Sequence, residues 1–118
     1  MGDMEKRKYP RIGTHNLVSY LCLDDEGQAV GEGMGRTLNV SEGGILLETH
    51  IALAPHRTVS LTIALEDEIM ELRGKVAFSK RRDDGKFETG VEFLESDNAK
   101  IAFLKQYITI FRGDAENP

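Results

Sequence analysis

The chain is poor in the residues that build covalent or redox chemistry. It has one cysteine and no tryptophan, and its three histidines are scattered. A lone Cys22 excludes an internal disulfide, and its place in an apolar run predicts a buried, inert thiol rather than a nucleophile. His15, His50 and His56 lack the i,i+4 spacing of a helical metal pair, and no nucleophile stands in an elbow or triad context. The reading is a protein that is not an enzyme and carries no cofactor or metal. No stretch approaches the ~18 apolar residues of a membrane span, and the N-terminus has no apolar signal core, which predicts a cytoplasmic protein without membrane insertion. Positive charge is also short: 15 Lys and Arg against 20 Asp and Glu leave a net charge of −5. That balance argues against general binding to DNA or RNA, which needs broad basic surfaces to neutralise many phosphates.

What remains is the composition of one globular domain. At 118 residues, 40% hydrophobic and 30% charged, the chain can bury its own core, and no second output domain is expected within it. The middle of the chain alternates with period two. Leu17, Ser19, Leu21 and Leu23 alternate with Val18, Tyr20 and Cys22 in a strand over about 15–23. Asp24-Asp25-Glu26-Gly27 then makes a hairpin turn into a second strand over about 29–40. A third strand begins at Ile45. Val59, Leu61, Ile63 and Leu65 mark a fourth, and Met70, Leu72, Gly74, Val76 and Phe78 share one face of a fifth. After the charged turn 81–85, Phe87, Thr89, Val91 and Phe93 share one face of a sixth. Six antiparallel strands at hairpin spacing predict a small closed β-barrel, which leaves no exposed edge.

The period changes after Glu95. Ser96 is the expected cap of a C-terminal helix that Gly113 stops, with Arg112 in the last turn. Ile101, Leu104, Ile108 and Phe111 fall on one helical face, and Phe103, Tyr107 and Ile110 on a neighbouring one. The second stripe either widens a single buried face or pairs with another subunit or a target. The glycines at 31, 33 and 35 are not a dinucleotide-binding loop, because Arg36 to Val40 continues as strand where a helix is required. They are expected to ease bending or bulges in a curved sheet. Asn39-Val40-Ser41 also matches a glycosylation acceptor, without meaning for a chain that shows no secretion signal.

Two short clusters carry the functional information. Lys6, Arg7, Lys8 and Arg11 lie together with no acid among them, on an otherwise acidic chain. Guanidinium forks suit phosphate oxygens and the acceptor edge of guanine, and a local cationic site can select a compact dianion while an acidic body repels long polyanions. Pro10 stiffens the spacer between the arginines. The second cluster, Asn39-Val40-Ser41-Glu42-Gly43-Gly44, offers an amide, a hydroxyl and a glycine turn that admits a ligand to the backbone. Taken singly, each pattern also fits a solvated tail or an ordinary strand-ending turn.

Written as RxxxR followed by NxSxxG, the two clusters resemble the motifs of the PilZ domain family, whose members bind the bacterial second messenger cyclic di-GMP. Arg7 and Arg11 fall on the arginines of the first motif, and Asn39, Ser41 and Gly44 on the defining positions of the second. The resemblance runs from Glu5 to about Arg112. It implies a six-stranded PilZ barrel over 13–95 with its helix over 96–113, a flexible ligand-binding segment over 1–12 and a tail over 114–118. It further implies that the arginines engage phosphates and guanine bases while the Asn and Ser positions bond a guanine from the barrel surface. Lys6, Lys8, Tyr9, Arg36 and Gly43 are secondary candidates: Lys6 and Lys8 near phosphate, Tyr9 stacked on a base, Arg36 near the ligand or in a cross-strand ion pair, Gly43 supporting the turn. With no output domain attached, the signal has to pass to a partner protein in motility, biofilm or secretion control, or to a second copy. The rival reading is a PilZ-like interaction module that works without nucleotide.

Overall fold

The computed structural model describes residues 17–65 and 67–116. The strands are β1 (Leu17–Leu23), β2 (Ala29–Val40), β3 (Gly44–Thr49), β4 (Thr58–Leu65), β5 (Glu68–Arg81) and β6 (Phe87–Phe93), followed by one helix, α1 (Asn98–Glu116). All neighbours pair antiparallel, and the sheet closes on itself in the order β1-β2-β3-β6-β5-β4. Period-two patterning explains the wall. Val18 and Tyr20, Ile45 and Leu47, Val59, Leu61, Ile63 and Leu65, Leu72 and Val76, and Val91 point inward and are buried. The predicted turns form as well. Asp24 Oδ1 accepts the N–H groups of Glu26 and Gln28 (both 2.9 Å), and Gly27 (φ 82°) and Gly85 (φ 88°) take the left-handed backbone that closes the two charged hairpins.

Three register shifts break the alternation, and each moves a side chain to the other face. Between Cys22 and Leu23 the partner jumps from Gly31 to Ala29, which turns Leu23 into the core and leaves Val30 outside. A second shift lies between Thr37 and Asn39 in β2, and a third between Val76 and Phe78 in β5. The third corrects the expected inner face of β5: Phe78 stands outside, 47% exposed, and Ser79 takes the inward place. Cys22 is half-buried, and burial pushes its thiol above the ordinary range, against a lowering by Arg57.

Helix α1 begins later and ends later than the sequence predicts. Asp97, not Ser96, is the cap: its Oδ1 accepts the N–H groups of Ala99 (2.8 Å) and Lys100 (3.3 Å). Gly113 is not left-handed, so it does not stop the helix, which continues to Glu116. Phe103, Leu104, Tyr107 and Ile108 are buried in the same core as the inward barrel residues, with Ile110 and Phe111 packed against it. The two apolar stripes are therefore one wide face within the monomer. Tyr107 Oη lies 2.8 Å from the inward hydroxyl of Thr37, a contact that a closed wall permits only through an open end of the barrel. The helix accordingly covers that end.

Candidate ligand-binding groove

The outer surface of β2, β3, β6 and β5 is built in rows set by the strand register. The central row is Asn39, Leu46, Gly90 and Phe78, one residue from each strand. Both ends of this row depend on a bulge. Strict alternation would put Asn39 on the face opposite Arg36, and Phe78 on the inner face with Val76. The shifts at Leu38 and Ala77 bring Asn39 and Phe78 outside instead. Between them lies a groove of about 330 Å³, lined by Asn39, Ser41, Gly44, Leu46, Phe78, Gly90 and Glu92 among others. The aromatic ring of Phe78 rests directly on Gly90, where a Cβ would collide with it.

At one rim the β2–β3 turn presents its polar groups. Asn39 Oδ1 accepts the N–H of Val40 (2.9 Å), which leaves its amide NH₂ as the outward donor. Ser41 N–H donates to the Gly44 carbonyl (2.8 Å), Gly43 N–H donates to Ser41 Oγ (3.3 Å), and the Gly43 carbonyl accepts Phe93 N–H (3.0 Å). Gly44 has a packing reason beside any ligand: a Cβ there would fall 2.5 Å from the Val91 carbonyl oxygen of β6. Sequence reasoning assigned this glycine to ligand approach and did not foresee that contact.

The next row is charged: Arg36, Glu48, Glu88 and Lys80. Glu48 is its hub. Arg82 Nη2 reaches Glu48 Oε2 at 2.5 Å and Asp84 Oδ2 at 2.6 Å, Arg36 Nε reaches Glu48 Oε1 at 3.4 Å, and Lys86 stands at 4.0 Å. The Arg82 hydrogen bond holds the Glu48 carboxyl below its ordinary range, against an upward push from burial. Asp84 is held at about 2 by Arg82 and by the N–H of Lys86. Because Arg82 already occupies Glu48, Arg36 is bound only through its long Nε contact. Its terminal nitrogens have no hydrogen-bond partner among the described residues, and the side chain is half-exposed in the row next to the groove.

Asn39, Ser41, Gly43, Gly44 and Arg36 thus share one face. Lys6, Arg7, Lys8, Tyr9 and Arg11 lie outside the described residues, as does the 1–12 segment. The described chain begins at Leu17, which pairs with Arg36, three residues before Asn39 on the same strand. Arg11 precedes Leu17 by six residues, a contour length of up to about 20 Å at 3.3–3.6 Å per residue. Phe78, Gly90 and Glu92 were missed from sequence. Lys80 carries the available signal for Phe78, since unbroken alternation from Val76 would bury a lysine.

The PilZ domain model matches residues 5–109, a span that includes both motifs. The chain belongs to the PilZ domain family. This is a family of cyclic di-GMP receptor domains, which act by binding rather than catalysis. Two solved structures of K. pneumonia MrkH are similar, one of its apo state (TM-score 0.61) and one of a P2(1) crystal (TM-score 0.60), each at 13% identity. Each match covers 93% of this PilZ chain but 52% of the MrkH chain, so the chain spans about half the length of these neighbours. At that identity the likeness speaks for the six-stranded fold alone. No curated protein sequence matches the chain. Among the described residues no helix is long and apolar enough to cross a membrane.

Proposed function

We propose that this PilZ domain is a cyclic di-GMP receptor whose ligand lies in the groove between Asn39 and Phe78 and is closed over by Arg7 and Arg11. The observation that carries the reading is the central row, in which two bulges bring a polar amide and an exposed aromatic ring to opposite ends of one groove. β1 begins beside Arg36 on that rim, six residues after Arg11, which supports a reading in which the arginine motif closes over the same groove. The Asn39 NH₂ group suits the O6 and N7 acceptors of guanine, and Ser41 Oγ adds a second polar contact. Phe78 offers a π-face for a base. Arg7 and Arg11, with Arg36 beside them, neutralise the two phosphates through charge-assisted hydrogen bonds of roughly 1.5–3 kcal/mol each. Ordering the N-terminal segment opposes part of that gain, which leaves binding near micromolar, about −8 kcal/mol.

Transmission follows from what holds the back of the same strand segment. Thr37 is bonded to Tyr107, and Arg112 Nη2 donates to the Val40 carbonyl at 3.4 Å, so residues 37–40 touch ligand on one side and α1 on the other. Ligand that pulls on Asn39 and Ser41 changes the seat of the helix and the surface offered to a partner protein. Isothermal titration with cyclic di-GMP at physiological salt, with GTP as the control ligand, tests the receptor reading. Saturable micromolar binding selective over GTP supports it and gives the stoichiometry. Absence of heat at several temperatures transfers the chain to the nucleotide-independent interaction modules.

A further inference from the structure

The opposite side of the barrel carries a second face, which meets the groove face along β2 and β5. On the outer surface of β5, β4, β1 and β2 the register sets Arg73, Ser60, Leu21 and Glu32 in one row, and Glu71, Thr62, Ser19 and Met34 in the next. Ile69 and Ala64 on β5 and β4, and Leu17 and Arg36 on β1 and β2, continue the pattern one row further. The middle two strands are therefore uncharged on their outer side. Leu17, Leu21, Met34 and Ile69 are exposed on or beside them, around a groove of about 580 Å³ floored by Ser19, Gly33 and Ser60. Charges stand only at the margins. Glu32 and Arg73, at the two ends of one row, are exposed, opposite in sign and without an ion-pair partner among the described residues.

We infer that this face binds a second copy of the chain about a two-fold axis that runs parallel to the strands, between β1 and β4. Such an axis turns each row onto the same row of the partner in reverse order. Arg73 then meets Glu32 of the other copy at both rims. Leu21 seats over Ser60, itself buried beneath the Glu71 carboxylate that its Oγ contacts at 2.5 Å, Leu17 meets Ala64, Ile69 lies against the stem of Arg36, and the Met34 side chain covers the stem of Glu71. Large side chains on β1 thus face small ones on β4, and both charge pairs close at once, which is the self-complementarity a two-fold interface requires. A face four strands wide measures only about 14 Å across at 4.7–4.9 Å per strand. Its footprint falls short of the roughly 800 Å² per partner of a standard interface, so the dimer is a weak one.

Sedimentation equilibrium of the full chain without nucleotide, over about 5–500 µM, tests this, a range that brackets a micromolar dissociation constant. A monomer–dimer equilibrium is expected. Glu32→Arg or Arg73→Glu alone should raise the dissociation constant at least about tenfold, and the double variant should return to within about threefold of the starting value. Leu21→Glu should leave a monomer. A chain that stays monomeric throughout leaves this face to another protein or to none, and overturns the proposal. A dimer indifferent to Leu21→Glu overturns it as well, and weakened single variants without rescue overturn the two-fold pairing.

Discussion

Phe78→Ala separates the groove from the fold more sharply than any other change on this surface. The ring is 47% exposed and rests on Gly90, outside the barrel, so about half of the roughly 1.5–3 kcal/mol of a fully buried Phe is at stake. That predicts a loss of about 1 kcal/mol, or roughly 4 °C in Tm for a domain of this size. Stacking of a base on an aromatic side chain is worth about 1–3 kcal/mol, which predicts a rise in Kd for cyclic di-GMP of about fivefold to over a hundredfold. Calorimetric titration of the wild type, Phe78→Ala and Phe78→Leu gives the decisive comparison. Leucine keeps apolar area over Gly90 but has no π-face, so it should bind nearly as weakly as alanine. Ile51→Ala, which trims an exposed apolar residue away from the groove, should bind like wild type. If Phe78→Leu retains full affinity while Phe78→Ala loses it, the ring acts by contact area and not by stacking. If both bind as the wild type does, the groove between Asn39 and Phe78 is not the base site.

Arg7→Ala or Arg11→Ala should each weaken cyclic di-GMP binding at least about tenfold, or 1.4 kcal/mol, in the same titration; unchanged affinity in both removes the arginine motif from the site. Tyr107→Phe deletes the hydroxyl that pairs with buried Thr37 and should lower stability by about 1–2 kcal/mol, seen in urea unfolding as a lower midpoint with unchanged slope. Glu48→Gln tests the charged row by pH. The native Glu48 carboxyl is held below the ordinary value of 4.5, so its stabilisation is complete above that pH and is lost as pH falls through the depressed native value. The stability gap between wild type and Glu48→Gln should therefore hold at neutral pH and close in acid; a gap independent of pH would show that the Arg82 pairing does not stabilise the fold.

The order of six strands and a helix was legible because each strand buries one face and the alternation of Val, Ile and Leu with polar residues records it. Helix boundaries were less legible. Ser96 and Asp97 are both sound caps, and only the geometry selects the carboxylate that reaches Ala99 and Lys100. The second motif was legible as a set of residue types, yet its arrangement was not, because period two has no symbol for an inserted residue. In β2, alternation groups Arg36 with Leu38 and Val40; in β5, it groups Val76 with Phe78 and Lys80. Each group joins a buried valine to a charge that must be solvated, and that conflict is the trace a bulge leaves in a sequence. The barrel resolves both conflicts by a one-residue shift on the two strands that flank β3 and β6. Since β3 and β6 stay regular between them, the shifted residues, Asn39 and Phe78, meet their partners Leu46 and Gly90 in one row. The groove is thus a product of two of the wall's three local irregularities, and the same shifts that keep Arg36 and Lys80 in water are the ones that aim the amide and the ring at a common ligand.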